Sequence, residues 1–215
     1  MPNWCSSSIC FKGEPKAVED LFKKIKEYTS KEIMHSDFGS RWLGNVCLGF
    51  GIETPKTIST GFKFHCKGSI VSISDELDDD EDECLFWMDT ETAWDVMVQM
   101  WCEIIRRFYS DDHGNPKITI HYVAYEFGNG VYCTNDMDMF GHKPIELFVE
   151  DDRTDKVVCG TFDVKEAIAT INDVLKDRNL NIKNLSDVND ILGKNDDIII
   201  DYIKLEYRPI DDKML

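Results

Sequence analysis

The spacing of apolar and polar positions divides the chain into short strands and amphipathic helices. Trp4, Ser6, Ser8 and Cys10 alternate with Cys5, Ser7, Ile9 and Phe11, which predicts a strand with two distinguishable faces. Its small residues suit a central strand lying close under helices. Lys12-Gly13 reads as a turn, and Pro15 stands at a first helical position, where no N–H is needed. Val18, Leu21, Phe22, Ile25 and Tyr28 then recur at helical spacing, with Glu19, Lys23, Lys24 and Lys26 on other faces. Residues 37–45 are glycine-punctuated and aromatic and predict a loop packed on the core. Val46 to Ile52, with glycines at 49 and 51, predicts a strand carrying a bulge.

Gly61 to Cys66 and Ser69 to Ser74 predict two strands joined in a hairpin near Lys67-Gly68. Cys84 to Met88 predicts a buried strand. Thr90 to Tyr109 carries the heaviest apolar stripe: Trp94, Met97, Trp101, Ile104, Ile105 and Phe108. Thr92 with Asp95 offers a capping-box-like start to that helix. Arg106 and Arg107 fall in its last turn, where they complement the dipole. Ile118, Ile120, Tyr122 and Ala124 alternate with Thr119, His121 and Val123 in a further strand. The order is β-α-β-β-α-β with an inserted hairpin. The expected fold class is therefore α+β, with a ferredoxin-like sandwich over residues 1–135 as its simplest realisation.

Residues 136–215 predict a C-terminal α+β extension packed on the first domain. Gly128-Asn129-Gly130 reads as the hairpin turn before it. Ile145 to Glu150 and Lys156 to Phe162 read as strands, and Asp163 with Glu166 as the cap of a helix striped by Val164, Ile168, Ile171 and Leu175. A short helix is expected at Ser186 to Leu192, a final strand at Ile198 to Tyr207, and an exposed tail from Pro209.

Charge changes this picture most. The 215 residues carry a net charge of −17. Residues 1–70 hold 10 Lys/Arg against 7 Asp/Glu, a balance of +3, so residues 71–215 hold the remaining 14 against 34, a balance of −20. Such a field repels nucleic-acid phosphates and favours a protein partner with a basic surface. The acids concentrate in Asp75-Glu76-Leu77-Asp78-Asp79-Asp80-Glu81-Asp82-Glu83, which self-repulsion should keep solvated and loop-like.

Candidate chemistry is sparse. The eight cysteines form no C-x-x-C pair and read as reduced, buried thiols of a cytoplasmic protein. Neither a membrane span nor a signal peptide is expected. His65 beside Cys66 could join Cys47 or Cys84 around a metal, but zinc-like spacing is lacking, so no metal or other cofactor is expected. No nucleophile stands beside a base in a local signature, and the glycine pairs do not open helices as phosphate loops do. The five tryptophans read as core, except Trp42 beside Arg41 on the glycine-flanked loop, which forms a candidate loop site.

Three patches resemble a known family. Met1-Pro2-Asn3-Trp4-Cys5, the segment Asp37-Phe38-Gly39-Ser40-Arg41-Trp42, and Thr92-Ala93-Trp94 occur in the order found in an MPNWC-type family of phages, plasmids and bacteria. Ser6-Ser7-Ser8 departs from its usual Asn-containing strand. The resemblance covers about residues 1–135; it implies a ferredoxin-like domain and a mobile-element setting, and no reaction. The expected function is that of a non-catalytic acidic interaction protein, inhibiting a basic nucleic-acid-handling host protein as a nucleic-acid mimic. Its partner-binding residues would be Asp78, Asp79, Asp80, Glu81, Asp82 and Glu83. Two alternatives stand beside it. One is a nucleic-acid-binding module using Lys23, Lys24, Lys26, Arg41, Lys63 and Lys67. The other is a small-molecule enzyme around Trp42 and His65.

Overall fold

In a computed structural model, described for residues 4–30, 38–52, 66–80, 83–93, 96–127, 130–141, 143–192, 194–195 and 197–207, the N-terminal alternation becomes a long strand. The elements up to residue 126 are β1 (Trp4–Gly13), α1 (Pro15–Ser30), α2 (Leu43–Gly49), β2 (Gly68–Ile73), β3 (Asp78–Asp79), β4 (Cys84–Ala93), α3 (Val98–Phe108) and β5 (Ile118–Glu126). The strands align in the order β5-β1-β4-β2, each antiparallel to its neighbours, and β3 pairs with the start of β4.

Period-two patterning decides which side of this sheet is dry. Cys5, Ser7, Ile9 and Phe11 of β1 are buried, as are Cys84, Phe86, Met88, Thr90 and Thr92 of β4. With Leu21 and Ile25 of α1, Val46 of α2 and Trp101 and Ile104 of α3 they build one core. Each such aliphatic or aromatic side chain contributes about 1.5–3 kcal/mol on burial. The intervening positions form the other face: Ser6, Ser8 and Lys12 on β1, Trp87, Asp89 and Glu91 on β4, Thr119 and His121 on β5.

Gly13 ends β1 where a Cβ would stand 2.1 Å from the carbonyl oxygen of Lys117, the oxygen that accepts the Glu14 N–H. Gly13→Ala is expected to lower stability by about 1–3 kcal/mol, as overpacking does, measured as a reduced urea midpoint. An unchanged midpoint would show that the junction yields freely.

Several expectations are corrected. The expected strand from Val46 is the helix α2 instead, because Leu43, Val46 and Cys47 share one buried helical face. Gly49 serves close packing there: a Cβ would lie 2.3 Å from the Tyr28 ring. Gly51, with φ 69°, turns the chain out of the helix. The helix expected from Thr90 begins only at Val98. Thr92 is a buried strand residue whose hydroxyl donates to the Cys5 carbonyl at 3.4 Å. Gly68 lies in β2, paired opposite Thr92, rather than in a hairpin turn. Trp4 and Trp87 are exposed, at 51% and 37%, whereas Trp101 is fully buried. The strand expected over 61–65, the Trp94–Asp95 helix start, residues 128–129 and the tail from Pro209 lie outside the described residues.

Two compact units divide the chain, Met1–Asn129 with Cys133–Asp136 and Gly130–Tyr132 with Met137–Arg208. The chain passes between them within β6 (Val131–Thr134). The second unit continues with α4 (Met137–Phe140), β7 (Ile145–Asp151), β8 (Lys156–Phe162), α5 (Val164–Leu175), α6 (Val188–Leu192), β9 (Ile198–Lys204) and β10 (Glu206–Tyr207). Its antiparallel sheet has the order β8-β7-β9. Ile145, Leu147, Val149, Ile198 and Ile200 bury one face against Ala167, Ile171 and Leu175 of α5 and Val188 and Ile191 of α6. Asp163 and Glu166 form the expected capping box. Among the described residues no helix is long and apolar enough to cross a membrane.

Candidate interaction surface

The acidic run is more ordered than its charge suggests. Leu77, its one apolar residue, packs against the first unit's core and anchors it. Asp78 pairs with Leu85 and Asp79 with Cys84 as β3, and the Asp80 N–H donates to the Glu83 carbonyl at 2.9 Å to close a hairpin. Lys26 Nζ donates to the Asp75 carbonyl at 2.7 Å, and Lys12 pairs with Glu83 at 2.6 Å. The expected loop is therefore a hairpin. Asp78 and Asp79 pair with β4 while Asp75, Glu76, Asp78, Asp79, Asp80 and Glu83 keep their carboxylates in water. Extended backbone also sends successive side chains to opposite sides, which relieves their repulsion. Among the described residues neither Asp78 nor Asp79 has an ion-pair partner. Their field reaches inward: burial raises the Cys84 thiol pKa, and Asp79, Glu19 and Asp78 raise it further. Glu81 and Asp82 lie outside the described residues.

The Arg41–Trp42 loop is occupied with structural work. Arg41 Nη1 donates to the Val71 carbonyl, and the Arg41 carbonyl accepts the Ile70 N–H at 2.9 Å. Trp42 bridges to Ser69 and stacks on Phe38 at 4.7 Å. Together they fasten the lead-in to α2 along β2. His65, the other half of the small-molecule expectation, lies outside the described residues.

Four of the basic residues expected to meet nucleic acid are engaged within the fold. Lys23 pairs with Glu19 at 2.5 Å and Lys24 with Asp20 at 2.7 Å, both one helical turn apart on α1. Lys26 and Arg41 donate to backbone as above, and Lys63 lies outside the described residues. Lys23, Lys24, Lys26 and Arg41 are thus matched within the fold, and Lys67 is exposed just before β2.

Sequence reading missed two polar groups on the sheet face away from the helices, because only strand register brings them together. Asp89 accepts from Ser8 Oγ and Ser72 Oγ, each at 2.6 Å, across three strands. His121 Nδ1 meets Asp136 at 2.7 Å, and its Nε2 lies 3.3 Å from Thr119 Oγ1. Cys10 is the register partner of His121, so a cysteine, a histidine and an aspartate share this face. They do not make an activated nucleophile. Cys10 is fully buried, and burial pushes its thiol up to about 11, with Lys12 lowering and Asp136 raising it.

Cys47 and Cys66 do meet, at 3.4 Å between sulfurs, and Cys66 lies 3.6 Å from Met100 Sδ. The bond to Cys66 and burial hold the Cys47 thiol far above its ordinary range, in its protonated form. Among the described residues no three His, Cys, Asp or Glu side chains gather as metal ligands. Comparison with family models, curated proteins and solved structures finds no match for this chain.

Proposed function

We propose that the protein is a non-catalytic interaction protein of a phage or mobile element that presents acidic surface to a basic protein, a nucleic-acid-handling host defence protein being the target class. We propose equally that its first unit is a ferredoxin-like sandwich, which the order β5-β1-β4-β2 and its antiparallel pairing support. The MPNWC-type opening supports the mobile-element setting, and eight free cysteines support a reducing bacterial cytoplasm.

The observation that carries the functional reading is the ordered acidic hairpin. Asp78, Asp79 and Asp80 are exposed on a backbone fixed by β4 on one side and by Leu77 in the core. Fixed carboxylates lose little freedom on binding, and clustered charge steers a basic partner into place. Replacing Asp78, Asp79, Asp80, Glu81 and Asp82 by their amides leaves the backbone pairing of β3 intact. The test is capture from host cells, read by mass spectrometry for wild type and this variant. A basic protein retained by the wild type and lost by the variant is the expected result; equal recovery removes the hairpin from the mechanism.

A further inference from the structure

We propose that the outward face of the second unit's sheet is a docking surface for a basic amphipathic helix of a partner protein. Register places nine side chains on that face in three rows. They are Thr161, Glu146 and Ile203, then Cys159, Phe148 and Asp201, then Val157, Glu150 and Ile199. The opposite face is filled by the unit's own helices. This one is not: Phe148 is 36% exposed, Val157 56%, Ile199 49% and Ile203 41%. Four large apolar side chains on one small sheet form a patch of the kind that marks interaction sites.

Charge narrows the occupant. Glu146, Glu150 and Asp201 stand among the apolar side chains, and none of the nine positions is Lys or Arg. Burial, and then Asp201, raise the Glu146 carboxyl pKa, so this acid sits against apolar surface where a cation would relieve it. Lys156 and Lys204, at neighbouring strand positions, point the other way in register: Lys156 pairs opposite Asp151 and Lys204 opposite Ile145. A second copy of the chain would set three carboxylates against three, and anionic lipid or nucleic acid would be repelled likewise.

Size fits a helix. Four residues of strand separate Glu146 from Glu150, about 13 Å at the usual rise. Three turns of helix are about 16 Å long and about 10–12 Å wide. Such a helix lays an apolar stripe on Phe148, Ile199 and Ile203, with Lys or Arg flanking it over the three acids.

The probe is a 14-residue Leu/Lys amphipathic peptide, about four turns long, titrated into the isotope-labelled full chain. A scrambled peptide of equal composition, lacking the stripe, is its control. Amide shifts are expected to centre on β7, β8 and β9. Affinity should fall about tenfold for Phe148→Ser with Ile203→Ser and several-fold for the isosteric pair Glu146→Gln with Glu150→Gln. The second pair keeps the test decisive if the first disturbs the sheet. The hairpin variant neutralised at residues 78–82 should bind the peptide as the wild type does, which separates this surface from the acidic hairpin. Shifts centred elsewhere, equal binding of the scrambled peptide, or undiminished affinity in both variants would overturn the proposal. So would a concentration-dependent dimer, seen in sedimentation, that Phe148→Ser with Ile203→Ser abolishes.

Discussion

Replacing Arg178 with alanine is expected to lower the melting temperature of the second unit by about 10 °C. The Arg178 side chain is 6% exposed and its partner Asp151 is fully buried. Arg178 Nε donates to Asp151 Oδ2 at 2.8 Å, Nη2 donates to Asp151 Oδ1, and Nη1 reaches Asp197 Oδ1 at 2.8 Å. The Arg153 N–H adds a bond to Asp151 Oδ1 at 3.0 Å. Asp151 ends β7 and Asp197 immediately precedes β9, so one guanidinium holds the ends of two paired strands. Alanine would leave a buried carboxylate without its paired cation, the situation in which desolvation is no longer offset. Arg178→Lys supplies charge without the planar fork and should recover only part of the loss.

The same pair gives the unit an acid limit. The Arg178 guanidinium holds the Asp151 carboxyl well below the usual carboxylate range. A folded pKa below the unfolded one means that the unfolded chain binds the proton more readily. The stabilisation is therefore complete above about pH 4, and is lost as pH falls from there through the folded pKa. Protection of the β7 and β9 amides from hydrogen exchange, relative to the intrinsic rate at each pH, should fall below about pH 4 in the wild type and already at neutral pH in Arg178→Ala. Unchanged protection in the variant would contradict the role given to this network.

Trp101→Ala is expected to cost about 3–5 kcal/mol in the first unit, a large part of the roughly 5–15 kcal/mol typical of a whole domain. Trp101 is fully buried and meets the Phe11 ring edge-on at 5.1 Å, while Phe11 stacks on Phe86 at 4.8 Å. The substitution thus empties a cavity where α3 crosses the two central strands. The indole N–H has no acceptor among the described residues. Trp101→Phe keeps an edge for Phe11 and removes this unsatisfied donor, so it should cost less than half as much. Urea denaturation followed by far-ultraviolet circular dichroism reads both, and equal midpoints for the two variants would contradict the packing described.

What could be read in advance depended on whether the local signal and the packing agreed. The capping box at Asp163 and Glu166, the strands at 145 and 156, and the stripe of α1 were legible because each pattern sits within one element. The α2 region was misread because glycines at 49 and 51 suggest a strand, while their use, close approach to Tyr28 and an exit turn, depends on distant residues. Thr90 to Tyr109 reads as one helix, with Thr92 and Asp95 at its start. Thr90 and Thr92 continue the buried period of β4, which outweighs a capping motif. The acidic run showed its charge but not its order, which comes from one leucine and a neighbouring strand. The outward face of β7, β8 and β9 could not be recognised before register was known, since its acids and apolar residues come from three separate segments.

The acidic hairpin is tested most directly by titrating the captured basic partner against salt, with the wild type and the variant neutralised at Asp78, Asp79, Asp80, Glu81 and Asp82. The wild type should bind tightly at low salt and weaken steeply as salt rises, because exposed charges are screened within about 10 Å at 0.1 M. The variant should bind more weakly at low salt and show a shallower dependence. Equal affinity and equal salt dependence for the two proteins would contradict an acidic surface as the basis of binding.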